Sequence, residues 1–208
     1  MKLIGSFVSP FVRRVAVSLN QLGLPYETIP LATSKEPEEV KKHNPLTRVP
    51  ALVLDNGETL IESWAILDEI DQMVGAERAL IPTSGPARRQ VLQLVSVGTG
   101  AAEKSVWAYY ELGKRPPEKV HPPWLEQNES QVLSGYAYLE DQLNSSGADA
   151  LFRTGSGLNQ AGITCAVAYR FTEFVRPNLD LKGTAPSLTA FSEACEATED
   201  FKKVAIGL

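Results

Sequence analysis

Cysteine is scarce in this chain: its 208 residues include two, Cys165 and Cys195. They lie far apart and form no Cys-x-x-Cys, which excludes a dithiol redox motif and a disulfide framework. A reducing cytoplasm is the compartment that fits such cysteine usage. Histidine is equally rare, and His43 and His121 have no partner at metal-ligand spacing, so no metal site is expected. Positive charge is in deficit, with 20 basic against 25 acidic side chains and a net charge of -5. Residues 1–82 carry 8 basic and 11 acidic groups and residues 83–208 carry 12 and 14. Neither part offers the electrostatic footprint of a nucleic-acid or anionic-membrane binder. No apolar run approaches the length of a membrane span. The opening MKLIGSF is too short for a signal peptide and lacks a cleavage site. Internal repeats and low-complexity tracts are also missing. What remains is the ordinary composition of a soluble globular protein, 43% hydrophobic and 22% charged, long enough for one or two domains.

The stretch Asn44–Ser63, NPLTRVPALVLDNGETLIES, concentrates the strongest signals. Val49-Pro50 precedes the apolar run Ala51-Leu52-Val53-Leu54, and a proline lacking an N–H can only open or precede such a strand. Asp55-Asn56-Gly57 reads as a tight hairpin turn, with Asn-Gly supplying the positive φ angles of a two-residue loop. A second strand follows over Glu58–Ile61. Glu62-Ser63 then opens a helix whose apolar face carries Ile66, Leu67, Ile70 and Met73. A free backbone edge and an anion-attracting helix end therefore lie close in sequence.

Upstream, Lys2–Ser6 is a short strand candidate, and Ser9-Pro10 is a helix-start pair with Ser as cap and Pro at the first helical position. Phe11, Val15, Leu19 and Leu22 recur at helical spacing until Gly23. Tyr26–Leu31 is a weaker strand, and Glu36–His43 a short polar helix. The order β-α-β-α-β-β-α implies a mixed sheet covered by helices. Gly75–Pro86 turns the chain twice, at Leu80-Ile81-Pro82 and Ser84-Gly85-Pro86. Beyond it no strand pair is expected. Residues 86–112 are helical with a small-residue patch at Gly98, Gly100, Ala101 and Ala102. Further helices run through Leu125–Leu143, from Asn159, from Pro186 and from Thr198. The expected domains are 1–76, a linker over 77–86, and an all-helical domain over 87–208.

With N-P-L-x-x-V-P-A-L in a small β-α-β-α-β-β-α domain, E-S before its last helix, and S-P-F-V-R-R-V after its first strand, the chain resembles the glutathione S-transferases. The likeness spans the whole sequence and is nearest to the serine-type bacterial members. It implies a thioredoxin-like N-terminal domain plus an all-α C-terminal domain, and a homodimer whose close helix approach uses the small-residue patch. The substrates implied are glutathione, as co-substrate, and a small electrophile to be detoxified, with no metal.

The resemblance assigns roles residue by residue. It implies a cis Val49–Pro50 bond that leaves Val49 to pair like a strand with the cysteinyl unit of glutathione. Ser63 would hold the γ-glutamyl carboxylate at a helix N-terminus, and Glu62 would balance the ligand's ammonium. The plainer reading of Glu62-Ser63, a helix cap, is compatible with both roles. Arg48 aligns with the position that reaches the glycyl carboxylate, although a solvated loop charge would look the same. Lys35, Lys41, Lys42 and His43 are looser candidates for that contact. Ser9 is the catalytic candidate: its hydroxyl would donate to the glutathione sulfur and the helix end would add positive potential, both favouring thiolate, with backbone donors near Phe11, a glutathione-binding position, next in line. Ser9 is also a natural helix cap, and Ser6 is the fallback hydroxyl. Phe7 stands where tyrosine-type relatives carry their hydroxyl, and no cysteine lies in 6–11. Trp107 and Tyr110, with Tyr109, are expected walls of the electrophile pocket or core aromatics.

Two positions depart from the family pattern. Gly162 replaces the acid that would complete the capping box begun by Asn159, which predicts a weaker cap. Trp64 follows the E-S pair where a smaller residue is frequent, placing a large ring against either a second subunit or the ligand. Two other activities stay compatible with the motifs: a non-catalytic binding or interaction protein, and a glutathione-dependent disulfide reductase.

Overall fold

The structure is a computed structural model describing residues 1–155 and 157–206. It divides into two units, Met1–Gly85 together with the segment from Thr198 on, and Pro86–Ala197.

The first unit contains β1 (Lys2–Ile4), α1 (Pro10–Leu22), β2 (Glu27–Ile29), α2 (Pro37–Lys41), β3 (Ala51–Val53), β4 (Thr59–Ile61) and α3 (Ser63–Val74). Their sheet has the order β2-β1-β3-β4. β1 runs parallel to β2 and antiparallel to β3, and β3 runs antiparallel to β4. The elements follow the expected order, with shorter strands. β1 stops at Ile4 because Gly5 takes φ 132, off the extended conformation. Ser9 caps α1, Pro10 opens it, and Gly23 closes it at φ 67 with its amide returned to the carbonyls of Asn20 and Leu19. Val12, Val15, Ala16 and Leu19 of α1 and Ile66 and Ile70 of α3 are completely buried, and the two helices pack together.

The β3–β4 hairpin differs from a two-residue Asn-Gly turn. Leu54 N donates to Glu58 O at 2.8 Å and Gly57 N to Leu54 O at 3.0 Å, so Asp55, Asn56 and Gly57 form a three-residue loop. Gly57 alone among these carries a positive φ, 88°. This is the turn-plus-bulge hairpin, in which one glycine supplies the left-handed step.

The stretch 77–86 is not a free linker. Leu80 and Ile81 are buried, and their amides donate to Asp71 of α3 at 2.8 and 3.1 Å. The chain also returns to this unit at its other end, through α10 (Glu199–Lys202). Arg13, with no exposed surface, donates from Nε to the Val204 carbonyl at 2.8 Å and stacks over Phe201 at 5.6 Å. A fully buried guanidinium needs such acceptors, because desolvating it unpaired is costly.

The second unit holds α4 (Gly85–Lys114, its first residue in the other unit), a short 3-10 turn (Pro117–Lys119), α5 (Pro122–Ser146), α6 (Ala148–Phe152), α7 (Gln160–Val175), α8 (Leu181–Thr184) and α9 (Pro186–Glu196). It is not purely helical: β5 (Arg153–Thr154) and β6 (Gly157–Leu158) pair antiparallel between α6 and α7. Strands of two residues leave no periodicity to read in sequence. Helix α7 is the centre, buried almost throughout. Hydroxyls of Ser105 and Tyr136 each meet Thr172 Oγ1 at 2.7 Å, joining α4 and α5 to α7.

The small-residue patch serves this packing. A Cβ built on Gly98 would stand 3.2 Å from Cys165 Sγ and 3.3 Å from a Thr164 methyl, and Ala101 and Ala102 are buried. At Gly98 the close helix approach is therefore α4 on α7 within one chain, whereas Gly100 of the same patch has open space beside its Cα.

The Asn159 cap is also stronger than the missing acid suggests. Its side chain accepts from Gly162 N at 3.0 Å and donates to Leu151 O at 2.8 Å, while its own amide donates to Phe152 O at 2.9 Å. The end of α6 thus takes the bond that a capping-box acid would make. A Cβ on Gly162 would lie 2.6 Å from the Phe152 carbonyl oxygen, so the glycine is a packing requirement.

No helix among the described residues is long and apolar enough to cross a membrane.

Candidate functional site

Sheet register brings the three motifs of the first unit to one end of the sheet. Ile4 of β1 lies opposite Ala51 of β3, and Ala51 lies opposite Ile61 of β4. Gly5 through Ser9 leave from Ile4, Val49-Pro50 enters at Ala51, and Glu62-Ser63 leaves from Ile61. With strands about 4.8 Å apart, residues distant in sequence open on a common rim.

Gly5 sets how close the first two segments come. A Cβ there would meet Val12 Cγ2 at 2.6 Å and Val49 Cβ at 2.9 Å. The Val49 loop is shaped by Asn44, which is 1% exposed, donates to the Arg48 carbonyl at 3.0 Å and accepts from Leu46 N at 2.9 Å. Thr47 takes φ 53 within this turn. The Val49–Pro50 peptide bond is cis. The Val49 amide and carbonyl have no hydrogen-bond partner among the described residues. Gly5 and Asn44 are positioning residues that sequence reading passed over. Their signals were a glycine directly after a strand and an Asn-Pro turn start.

At α1, the Ser9 oxygen accepts from Val12 N at a long 3.5 Å, and Ser9 N donates to Ser6 O at 3.0 Å. The hydroxyl proton is left to donate elsewhere. The Phe11 amide lies in the same first turn, half-buried. Ser6 accepts from Val8 N at 3.4 Å, and Phe7 is half-buried beside it.

At α3, Glu62 is the N-cap residue, with φ 68 and ψ 127 and no side-chain cap bond. The first amide of this helix to find a partner is Ile66 N, at 3.1 Å from Glu62 O. The amides of Ser63, Trp64 and Ala65 have no partner among the described residues, which leaves the N-terminal end of a 12-residue helix open to an anion. Ser63 is 6% exposed, and its hydroxyl makes no hydrogen bond among the described residues. Trp64 points outward, 69% exposed.

Arg48 and Glu62, read in sequence as contacts for opposite ends of one peptide, are paired with each other at 3.5 Å. Both are partly exposed, so the pair is weak and exchangeable. Of the looser cations, Lys42 bonds Glu39 at 2.7 Å, Lys35 and Lys41 are exposed on and before α2, and His43 is half-buried.

In the second unit, Trp107 and Tyr110 line a cleft together with Glu111, Lys114, Arg115 and Trp124. Tyr109 is 47% exposed and touches Tyr110 in a tilted pair outside that lining. Cys165 and Cys195 are buried and form no disulfide. Burial pushes the Cys195 thiol up to about 12, which keeps it un-ionised at neutral pH. No group of three or more potential metal ligands occurs among the described residues.

Residues 3–78 match the family model of the glutathione S-transferase N-terminal domain. A zeta-class glutathione S-transferase of Euphorbia esula is 30% identical over 162 residues, 74% of this chain and 68% of its own length. The GST-like protein YibF of Escherichia coli (strain K12) is 27% identical, over 81% of each chain. A glutathione transferase family member from Pseudomonas fluorescens Pf-5, solved with bound glutathione, superposes with a TM-score of 0.87 at 30% identity, over 100% of this chain and 99% of the other.

Proposed function

The chain belongs to the glutathione S-transferase family, and from that premise we propose that it binds glutathione in its first unit and activates the thiol to attack an apolar electrophile or a peroxide. One observation carries this reading: the Ile4–Ala51–Ile61 register, which assembles Ser9, the open Val49 backbone and the open α3 N-terminus on one rim. Glutathione is a peptide with two carboxylates, an ammonium and a thiol, and each has a fitting group there. The cysteinyl unit adds to Val49 as a strand adds to a free edge. The γ-glutamyl carboxylate takes the Ser63 hydroxyl and the free amides of α3, where the helix dipole favours an anion. Glu62 takes the ammonium. Arg48 is released from Glu62 to meet the glycyl carboxylate. The Ser9 hydroxyl donates to sulfur beside the Phe11 amide, favouring the thiolate. In conjugation the sulfur forms a bond to carbon, and the leaving group departs with its electron pair. The homodimer implied by the family resemblance and the cytoplasmic setting that fits the cysteine usage belong to this proposal.

Ser9→Ala tests the chemistry. Glutathione affinity should stay nearly intact, since the other groups hold the peptide. The pKa of the bound thiol should rise toward its free value, each unit corresponding to about 1.4 kcal/mol of lost thiolate stabilisation. Turnover at neutral pH should fall and recover in part at higher pH. Thiolate absorbance of bound glutathione titrated against pH measures the shift. Superimposable curves for wild type and variant would reduce Ser9 to a helix cap.

A further inference from the structure

The open cleft on the last turns of α4 and the first turn of α5 is lined by residues of the second unit and offers about 590 Å³, a size suited to a small organic molecule. Its apolar surface is aromatic: Trp107 and Trp124 are 46% and 38% exposed, with Tyr110 between them in sequence. Flat ring faces left to solvent favour a flat ring as ligand.

The charges in the cleft are not equivalent. Glu111 is 4% exposed, and both its oxygens are occupied: one accepts from Arg115 Nε at 2.7 Å, the other from His121 N at 2.9 Å. This carboxylate ties α5 to α4 and neutralises Arg115. Lys114 is left over. Its ammonium sits 3.8 Å above the Tyr110 ring and has no carboxylate partner among the described residues. The lining thus holds two cations and one anion, in a chain whose net charge is -5. An aromatic cage can also recognise a ligand cation, but here the cage already holds one, and a second would be repelled. An anion on an aromatic body meets both the rings and the uncompensated ammonium.

We propose that this cleft takes a planar aromatic anion, a ring carrying a carboxylate, selected by Lys114 against the neutral and cationic analogues.

Binding measurements test this selectivity. Calorimetry on the full chain with 2-naphthoate, 2-naphthamide and 2-naphthylmethylammonium should rank them in that order, the acid ahead of the amide by roughly fivefold, as a partly exposed ion pair allows. Lys114→Gln should bring naphthoate down to the affinity of naphthamide, and Lys114→Arg should restore the preference. Trp124→Leu should weaken all three. Equal affinities in the wild type, or an acid preference that survives Lys114→Gln, overturn the proposal.

Discussion

Glu62 takes a backbone conformation whose cost its visible contacts do not offset. A non-glycine side chain at φ 68, ψ 127 sits in a sparsely populated region of backbone space, at a cost of about 1–3 kcal/mol. Its visible return is one exposed ion pair with Arg48, worth at most about 1 kcal/mol. Glycine has no Cβ to clash at this positive φ, and its entropic cost is smaller than that strain. Glu62→Gly is therefore expected to keep or raise the melting temperature while weakening glutathione by about 1–3 kcal/mol, the loss of a charge-assisted hydrogen bond. Thermal melts and calorimetry on the same preparation check both halves. A fall in both quantities would make Glu62 a structural residue. Gly5 is the opposite case, a residue whose lack of a Cβ lets Val49 approach α1.

Helix ends carry the next level of the argument. The N-terminus of α9 is closed internally: Glu140 of α5 accepts from Ser187 N at 3.0 Å and Leu188 N at 2.9 Å. Burial alone would push the Glu140 pKa up, but these amides outweigh it and hold the carboxyl below its ordinary value. A depressed folded-state pKa means that the stabilisation is complete above the ordinary carboxyl value of 4.5 and is lost as pH falls through the lower folded value. Glu140→Gln should lower stability at neutral pH by about 1–2 kcal/mol. It should also flatten the acid limb of the stability curve, measured by denaturant melts between neutral pH and the acid transition. An unchanged acid limb would assign that limb to other carboxylates. At the α3 end the first amides have no partner among the described residues, and the proposed γ-glutamyl carboxylate would act there as Glu140 acts on α9.

At the scale of the whole molecule, the two units are built differently. The first is a small sheet stitched to both chain ends, with buried Arg13 holding the returning segment at Phe201 and Val204. The second is centred on α7, against which Gly98 packs. Light scattering should give about twice the 22.7 kDa chain mass for the proposed homodimer. Gly98→Leu should lower stability by about 1–3 kcal/mol through overpacking, with the mass unchanged. Loss of the dimer with melting temperature preserved would put the small-residue patch back at an interface.

The order of elements, the Ser9 cap, the helix start at Glu62-Ser63 and the all-important Val49-Pro50 entry were legible in sequence, because each depends on neighbours within a few residues. Capping, proline geometry and amphipathic period are local physics. The packing role of Gly98, Ala101 and Ala102, the replacement of a capping acid by the Phe152 carbonyl, the burial of 80–81 and the pairing of Arg48 with Glu62 were not legible. Each depends on a partner brought in from another element, and a small or charged side chain reads the same in sequence whichever neighbour meets it. Side-chain chemistry was written along the chain, whereas the convergence of Ile4, Ala51 and Ile61, and with it the site, was decided by strand register, a non-local choice made by the core.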